Sequence, residues 1–443
     1  MKYKLLKGLA KKQQYFQQKN DSSNDSSNDS SNDSSNDSDG SLSSDDEIEV
    51  SKDIIYKWYN NRYYAIKYLG KGTFCRTWLM YDIHLNKFVA MKMYYSKYHE
   101  ESLHEIKINK LLTNPKYVAH TLDHFVANKC HCLIYELLGL TLLDVLDYYD
   151  DDIPLTILKQ ICIQIFKGID ELHKKNIVHC DLKAENIMLK QLDVPIKNII
   201  DELKKIELDK MFEDLVTKNL PENYNEFDKT KKKNVKRKIK IRCIKLLGES
   251  IKNKVDTIDN SNDEFIFDET NIECKIIDLG NSEQIGINND DEIMLRSYRP
   301  PENIMNNFYN EKADIWGMGC IIYELLTGDY LFDIDRELKS NEKDRQHLHQ
   351  MYELLGDIPI DYTLDCDFSE QLFDTQGRII DNKQCNYTQF EEIFINDYEY
   401  SEIDSKHISV FLKKLLDYNI KTRYSAKQAY NDIWLNELFH EIN

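Results

Sequence analysis

The stretch His179-Cys180-Asp181-Leu182-Lys183-Ala184-Glu185-Asn186 decides the reading of this 443-residue chain. It follows the short apolar run Ile177-Val178 and sets a carboxylate, an ammonium two residues later and a carboxamide five residues later on one loop. Such a carboxylate can accept a hydroxyl proton, and the ammonium can neutralise charge on a group in transfer. The carboxamide oxygen suits a hard cation. Upstream, YYAIKYLG, TFCRTWLMYD and KFVAMKMYY alternate apolar or aromatic residues with polar ones, which predicts strand, turn, strand, turn, strand from Tyr63 to Met93. A helix is expected over about 99–113, then strands through Tyr135. Downstream, from Leu155, LKQICIQIFKGIDELHKK has a helical period. A β-rich half followed by a helical half predicts an α+β protein of two lobes.

Further pieces stand in the order that phosphoryl transfer requires. The loop octet fills six of eight positions of H-R-D-L-K-P-E-N, with Cys180 for Arg and Ala184 for Pro. In that pattern Asp181 is the base that orients the hydroxyl, Lys183 neutralises the phosphoryl group and Asn186 holds magnesium. The turn Gly70-Lys71-Gly72-Thr73-Phe74-Cys75-Arg76-Thr77 lies between two predicted strands, where glycines let backbone amides approach phosphates. Its third glycine is missing, replaced by Cys75, and by itself this signal is weak. Val89-Ala90-Met91-Lys92 matches V-A-I-K, which aims Lys92 at the α/β-phosphates of ATP. Glu105 is expected to pair with Lys92; Glu100 and Glu101 are rivals on the same helix, and the LHEIKIN context favours Glu105. Asp278-Leu279-Gly280, after the apolar strand Lys275-Ile276-Ile277, stands at the D-F-G position, with Asp278 a second magnesium ligand. Pro300-Pro301-Glu302 stands for A-P-E, Asp314 opens the ADIWGMGC helix, and Arg423 can pair with Glu302. Singly, Lys92 also reads as a snorkelling strand lysine, Glu105 as a solvated helix residue and Asp278 as a turn residue. Together, their order and spacing leave phosphoryl transfer as the reading.

Composition bounds the rest. The chain is 41% hydrophobic, enough for two or three compact units, and its 77 acidic against 58 basic residues give a net charge of −19. That balance disfavours wholesale nucleic-acid binding and suits Arg- or Lys-rich partners. Ten scattered cysteines read as reduced intracellular thiols, and Cys130-His131-Cys132 as strand residues in place of metal ligands. No run is long and apolar enough for a membrane span, and the basic start (Lys2, Lys4, Lys7) lacks the features of a signal peptide. Residues 1–55 are expected as a disordered tail: 22–37 are four copies of Ser-Ser-Asn-Asp, each spelling the Ser-x-x-Asp of an acidophilic phosphorylation site. Residues 191–272 break the composition and are expected as an insert, partly disordered or loosely helical. Within it, 229–245 hold ten Lys or Arg and no acid, a pattern open to nuclear targeting, a nucleic-acid patch or a solvated spacer.

On these motifs the chain resembles the eukaryotic protein kinases, and within them the SR-protein kinases, over roughly 56–190 and 273–437. NNRYYAIKYLGKGTFCRTWLMYD, KFVAMKM, YELLG, DLGN, RSYRPPE and TGDYLF carry the likeness. The resemblance implies a bilobal kinase fold with an N-lobe at 56–139, a C-lobe at 140–190 and 273–443, and the insert between catalytic loop and DLG. It implies ATP and Mg²⁺ as cofactors, with ATP met by Leu69 through Cys75, Thr77, Ala90, Lys92 and the hinge residues Glu136 and Leu138 behind the gatekeeper Tyr135. It implies Arg296 and Arg299 as receivers of a phosphorylated or acidic residue beside the target serine. Asp329 and Glu353 then belong to a groove for basic peptide, whose third acidic position is Gln346 here. Cys180, where an arginine commonly grips an activation-loop phosphate, implies constitutive activity. Asn109, where an apolar residue is usual, implies a less firmly assembled N-lobe. The expected protein is a soluble, monomeric Ser/Thr kinase of Arg/Ser-rich proteins, in cytoplasm and nucleus. A Cdc2-like dual-specificity kinase, a pseudokinase scaffold and a nucleic-acid binder acting through 229–245 are the competing readings.

Overall fold

The computed structural model describes residues 54–258, 265–286, 292–380 and 387–437. The strands are β1 (Trp58–Tyr59), β2 (Tyr63–Lys71), β3 (Cys75–Asp82), β4 (Lys87–Tyr94), β5 (Asp123–Ala127), β6 (Cys130–Glu136), β7 (Ile177–Val178), β8 (Ile187–Leu189), β9 (Cys274–Ile276) and β10 (Glu283–Gln284). The helices used below are α1 (His99–Asn109), α2 (Leu142–Tyr148), α3 (Leu155–His173), α4 (Val194–Lys205), α5 (Leu208–Lys218), α6 (Lys229–Val255), α7 (Pro301–Ile304), α8 (Lys312–Thr327), α9 (Ser340–Leu355) and α10 (Glu402–Leu415). They fall into two compact units: residues 54–99, 124–134 and 203–257, and residues 100–123, 135–202 and 258–437.

The first unit is built on an antiparallel sheet with strand order β1-β2-β3-β4-β6-β5. Between β3 and β4 the register runs unbroken from Cys75↔Tyr94 to Asp82↔Lys87. Period-2 alternation puts Trp78, Met80, Val89 and Met91 on one face, where they form a core with Tyr63, Ala65, Cys132 and Ile134. Asp82 fixes the β3–β4 turn, accepting the His84 N–H at 2.9 Å and a two-pronged contact from Arg62 at 2.9 and 2.7 Å.

The stretch expected as a loose insert supplies α4, α5 and α6. Asp228 caps α6 by accepting the Lys231 N–H at 2.8 Å. Cys243, Ile244, Leu247, Gly248 and Ile251 form a buried stripe at helical spacing. The stripe lies on β2, where the Tyr64 hydroxyl donates to the Gly248 carbonyl at 2.7 Å. Five apolar positions spread among so many lysines are diluted in any average of composition, which is why composition leaves the stretch between partial disorder and a loose helix. A Cβ at Gly248 would stand 2.7 Å from Trp58 Nε1 and 2.7 Å from Tyr64 Cε2. Gly248→Ala is therefore expected to destabilise this unit by about 1–3 kcal/mol through overpacking. A lowered urea midpoint followed by Trp58 fluorescence would register it, and an unmoved midpoint would refute the tight contact.

The second unit is mainly helical. In α3 Ile157, Leu158, Ile161, Cys162, Ile165, Phe166, Ile169 and Leu172 recur at three- and four-residue steps and enter the core. Every residue of α8 from Ala313 to Thr327 is buried, so Asp314 on its first turn lies wholly inside. The expected Arg423–Glu302 pair is present, both residues at most 2% exposed, with parallel contacts of 2.7 and 2.8 Å. Residues 1–53 of the expected tail, with the Ser-Ser-Asn-Asp copies, lie outside the described residues. Among the described residues, nine cysteines are free thiols, no cluster of three His, Cys, Asp or Glu could hold a metal ion, and no helix is long and apolar enough to cross a membrane.

Candidate active site

Two short ribbons position the loop at 179–186. β7 pairs with β10 and β8 with β9, the latter in register Ile187↔Ile276. One residue beyond that pair, the Ile277 N–H donates to the Asn186 carbonyl at 2.9 Å, so Asn186 and Asp278 leave the same end of the ribbon. The His179 ring closes the gap from the other strand, its Nε2 lying 3.0 Å from the Ile277 carbonyl.

On this frame Asp181 gathers its neighbours. Lys183 Nζ is 3.3 Å from its Oδ2, and Asn186 donates to the same oxygen at 3.1 Å and to the Asp181 carbonyl at 2.8 Å. Asn281 donates to Oδ2 at 3.3 Å. With Asn186 Nδ2 spent in this way, its carbonyl oxygen is the atom left for a cation. From below, the buried Asp314 accepts the backbone N–H groups of His179 and Cys180 at 2.9 and 3.2 Å and meets His173 Nε2 at 2.9 Å. This clamp holds Cys180 at a left-handed φ of 62°, a strained backbone that side chains other than glycine seldom adopt. Asp278 shares the strain at φ 63°. Cys180 is buried and its thiol pKa is pushed well up, first by desolvation and then by Asp314; it places no cation where a kinase arginine would stand. Sequence reading named Asp314 only as the start of a helix, and its clamp depends on a fold contact more than a hundred residues away.

Glu105 on α1 is 1% exposed. Its carboxylate accepts the Tyr135 hydroxyl at 2.7 Å. Asn109, one turn on, donates to the Glu105 carbonyl at 2.9 Å and to the Tyr135 oxygen at 3.4 Å, while its own oxygen accepts the Thr121 N–H at 2.9 Å. The polar residue expected to loosen the assembly is thus satisfied on every side, and the Tyr135 hydroxyl anchors the Glu105 carboxylate. A buried hydroxyl donating to a carboxylate is worth more than a neutral bond. Tyr135→Phe is expected to cost about 1–3 kcal/mol of stability and to lower kcat about fivefold, as Glu105 loses one of its anchors. In a Glu105→Ala background the same change should add nothing to the kcat loss; additive losses would show that the hydroxyl acts elsewhere.

Of the expected ATP-binding residues, Leu69 through Cys75, Thr77, Ala90 and Lys92 lie on the first unit. Thr77, opposite Lys92, and Ala90 share the sheet face turned away from Trp78 and Met91, and Lys92 Nζ stands 5.2 Å from the Tyr94 ring centre. Leu69 and Phe74 are half-buried, Gly70 intermediate, Lys71, Gly72 and Thr73 exposed, and Cys75 buried. A Cβ at Gly70 would meet nothing within 4 Å, so the fold does not demand glycine there; its absence of side chain keeps the approach to the backbone clear. In the second unit Glu136 pairs with the buried Lys275, and Leu138 is buried. Gly139, which sequence reading passed over, follows directly: a Cβ there would fall 1.9 Å from the Gln191 carbonyl oxygen, and its N–H donates to Leu189 at 2.7 Å.

The expected substrate residues are more engaged than the sequence suggested. Arg299 is 7% exposed, donating to the carbonyls of Ile293 and Met294 and pairing with Glu292 at 3.0 Å. Arg296 pairs with Asp344 on α9. Asp329 accepts the Tyr398 hydroxyl at 2.8 Å, and Glu353 is half-exposed, 3.8 Å from His349. Gln346, at the position lacking the third acid, accepts the Asp335 N–H at 2.9 Å and so fastens a loop.

The protein kinase domain family matches residues 63–201 and 258–435, the two segments that flank α5 and α6. Among curated proteins the chain is 28% identical over 451 residues to protein kinase dsk1 of Schizosaccharomyces pombe, covering 86% of this chain and 82% of that protein. It is 28% identical over 386 residues to serine/threonine-protein kinase SRPK of Physarum polycephalum, with 84% and 85% covered. Against SRSF protein kinase 3 of Homo sapiens it is 26% identical over 524 residues, with 90% and 92% covered. The clamped loop, the paired ribbons and the two matched segments agree: the chain belongs to the protein kinase family.

Proposed function

We propose that this protein serine/threonine kinase transfers the γ-phosphate of Mg-ATP to serine or threonine in Arg-rich segments of protein substrates. The observation that carries the chemistry is the set Asp181, Lys183 and Asn186 gathered around one carboxylate oxygen, over a clamp that fixes their loop. Asp181 accepts the substrate hydroxyl's proton and aims its oxygen; Lys183 answers the charge on the phosphoryl group. Asn186 and Asp278 offer hard oxygen donors at one ribbon end, a two-residue set that fits magnesium, which keeps waters and phosphate oxygens as its other ligands. Bound there, magnesium would neutralise charge on the phosphates. Lys92 contacts the α/β-phosphates and Glu105 orients it. With Cys180 in place of a phosphate-gripping arginine, activity needs no loop phosphorylation. The Arg-rich preference is supported by the net charge of −19, by acids Asp329 and Glu353, and by relatives named SRSF protein kinase.

The test is phosphate transfer from Mg-ATP to Arg-Ser repeat peptides and to acidic peptides. Transfer to the Arg-Ser set supports both halves of the reading. Transfer confined to acidic peptides would discard the Arg-rich preference, and none to either, with ATP bound, would discard the chemistry. The protein is further proposed to act inside the cell as a monomer, which light scattering and fractionation check.

A further inference from the structure

The chain's net charge of −19 conceals a strongly basic unit. The described residues of the first unit hold 25 Lys or Arg against 10 Asp or Glu, a balance of +15. Ten of those cations fall in the first seventeen residues of α6, which hold no acid. Like charges stand four apart at Lys229/Lys233, Lys232/Lys236, Lys233/Arg237, Lys236/Lys240 and Lys238/Arg242, a spacing that works against a helix. They also crowd its N-terminal half, where the helix dipole is itself positive. The Asp228 cap and the buried stripe from Cys243 to Ile251 hold the helix in spite of this repulsion. All seven cations from Lys233 to Lys245 are exposed, and among the described residues none of them is in an ion pair.

Position around the helix axis, at about 100° per residue, gives this charge a shape. In the N-terminal half the half-buried Val235 and Ile239 mark the side turned to the protein. On the opposite side Thr230, Asn234 and Ile241 form an exposed, uncharged ridge. Lys233, Lys236, Arg237 and Lys240 run down one flank of that ridge, and Lys231, Lys238, Arg242 and Lys245 down the other, all exposed. The result is a rod about 25 Å long with a row of cations on each flank. The major groove of B-form DNA is about 12 Å wide, admits a helix and carries phosphates on both walls, so both rows meet anions at once. The major groove of an RNA duplex is too deep and narrow for a helix to enter. A single strand wants aromatic rings for its bases; α6 has none, and Tyr224 and Phe227 before it lie against Lys232 and Lys231. A membrane wants an apolar face, whereas the exposed Ile241 and Leu246 stand on different sides of the helix.

We propose that the N-terminal half of α6 is a DNA-docking helix, which seats in the major groove of duplex DNA with one cation row on the phosphates of each wall. Its buried C-terminal half fastens it to β2, so the folded unit presents the helix ready-made and binding pays no cost of ordering it. Phosphates supply the affinity, which makes binding steeply salt-dependent and nearly blind to base sequence. The basic charge of the whole first unit adds attraction at longer range.

The experiment uses the full chain and a variant with Lys236, Lys238, Lys240 and Arg242 each changed to Gln, two cations from each row. The changes remove three of the five like-charge pairs, so the variant's urea midpoint should equal or exceed the wild type's. A fluorescent DNA duplex of roughly 20 base pairs should bind the wild type with a Kd of about 1–100 μM near physiological salt. The slope of log affinity against log salt should be about −6, and in the variant shallower by about 3–4, with affinity at least about tenfold weaker. An RNA duplex of the same length and a polyglutamate of the same charge should each bind the wild type at least about tenfold more weakly than the DNA. A wild type that binds no DNA, or equal affinity of the two chains for it, would overturn the docking helix. RNA or polyglutamate held as tightly as the DNA would overturn the groove seat and leave a surface for any polyanion, acidic protein included. The salt slope and the three probes read the wild type alone and need no ATP, so they decide the matter whatever the variant's fold and whatever becomes of the phosphoryl-transfer reading.

Discussion

Asp181→Asn is expected to lower kcat by about a thousandfold while leaving the KM for ATP nearly unchanged. The substitution keeps size and shape, so Asn186, Asn281 and the Asp314 clamp can stay in place. What goes is the charge. Asn cannot take the hydroxyl proton, and Lys183, 3.3 Å from Oδ2, loses the partner that holds it. Both deficits arise only as the hydroxyl is activated, so they fall on the chemical step and spare nucleotide binding. Single-turnover transfer to a preferred peptide, with ATP affinity measured in parallel, separates the two. Wild-type kcat in the variant would end the assignment of Asp181 as base, and an equal loss of ATP affinity would make it structural.

Arg423→Ala is expected to destabilise the second unit by about 3–5 kcal/mol, the cost of leaving a buried carboxylate alone. Glu302 receives both prongs of the guanidinium. The same group donates to the carbonyls of Asp417 and Lys312 at 2.8 and 3.0 Å and lies 5.1 Å from the Trp316 ring centre. One truncation thus orphans a carboxylate and two carbonyls, and opens space beside a buried indole. Against the roughly 5–15 kcal/mol that holds a domain together, the loss is severe. Arg423→Lys should fall in between, since an ammonium cannot make the fork. Urea unfolding of the three proteins checks the order; a loss below about 1 kcal/mol for the alanine variant would show that Glu302 finds other donors or a proton.

How far sequence reaches depends on how far apart the partners lie. The three β-strands after Tyr63 were legible because alternation is local, and the catalytic-type loop because its acid, lysine and amide sit within six residues. The Arg423–Glu302 pair was expected from the motif residues themselves, and the structure contains it. The Asp314 clamp, the glycine at 139 and the Tyr135–Glu105 bond were not legible. Each depends on segments brought together by the fold, and nothing local marks an acid that caps a distant loop or a glycine pressed by a distant carbonyl. Asn109 shows the opposite hazard: a polar residue in an apolar position reads as weakness until its three partners are seen. Composition left α6 between partial disorder and a loose helix for a related reason, since one lysine-rich average hides a stripe of five buried positions.

The bond from Tyr64 to Gly248 joins residues 184 apart in the chain. At bacterial to eukaryotic elongation speeds of about 5–20 residues per second, roughly 10–40 s pass between the emergence of β2 and that of its helical cover. For that interval Trp58 and Tyr64 lack their helical cover on a sheet whose outer strand is only two residues long. The β-rich unit therefore cannot finish folding as the ribosome delivers it; it waits for a segment encoded beyond the catalytic loop. Slowing translation between those points should lengthen its dependence on chaperones, and supplying codons that speed it should shorten it.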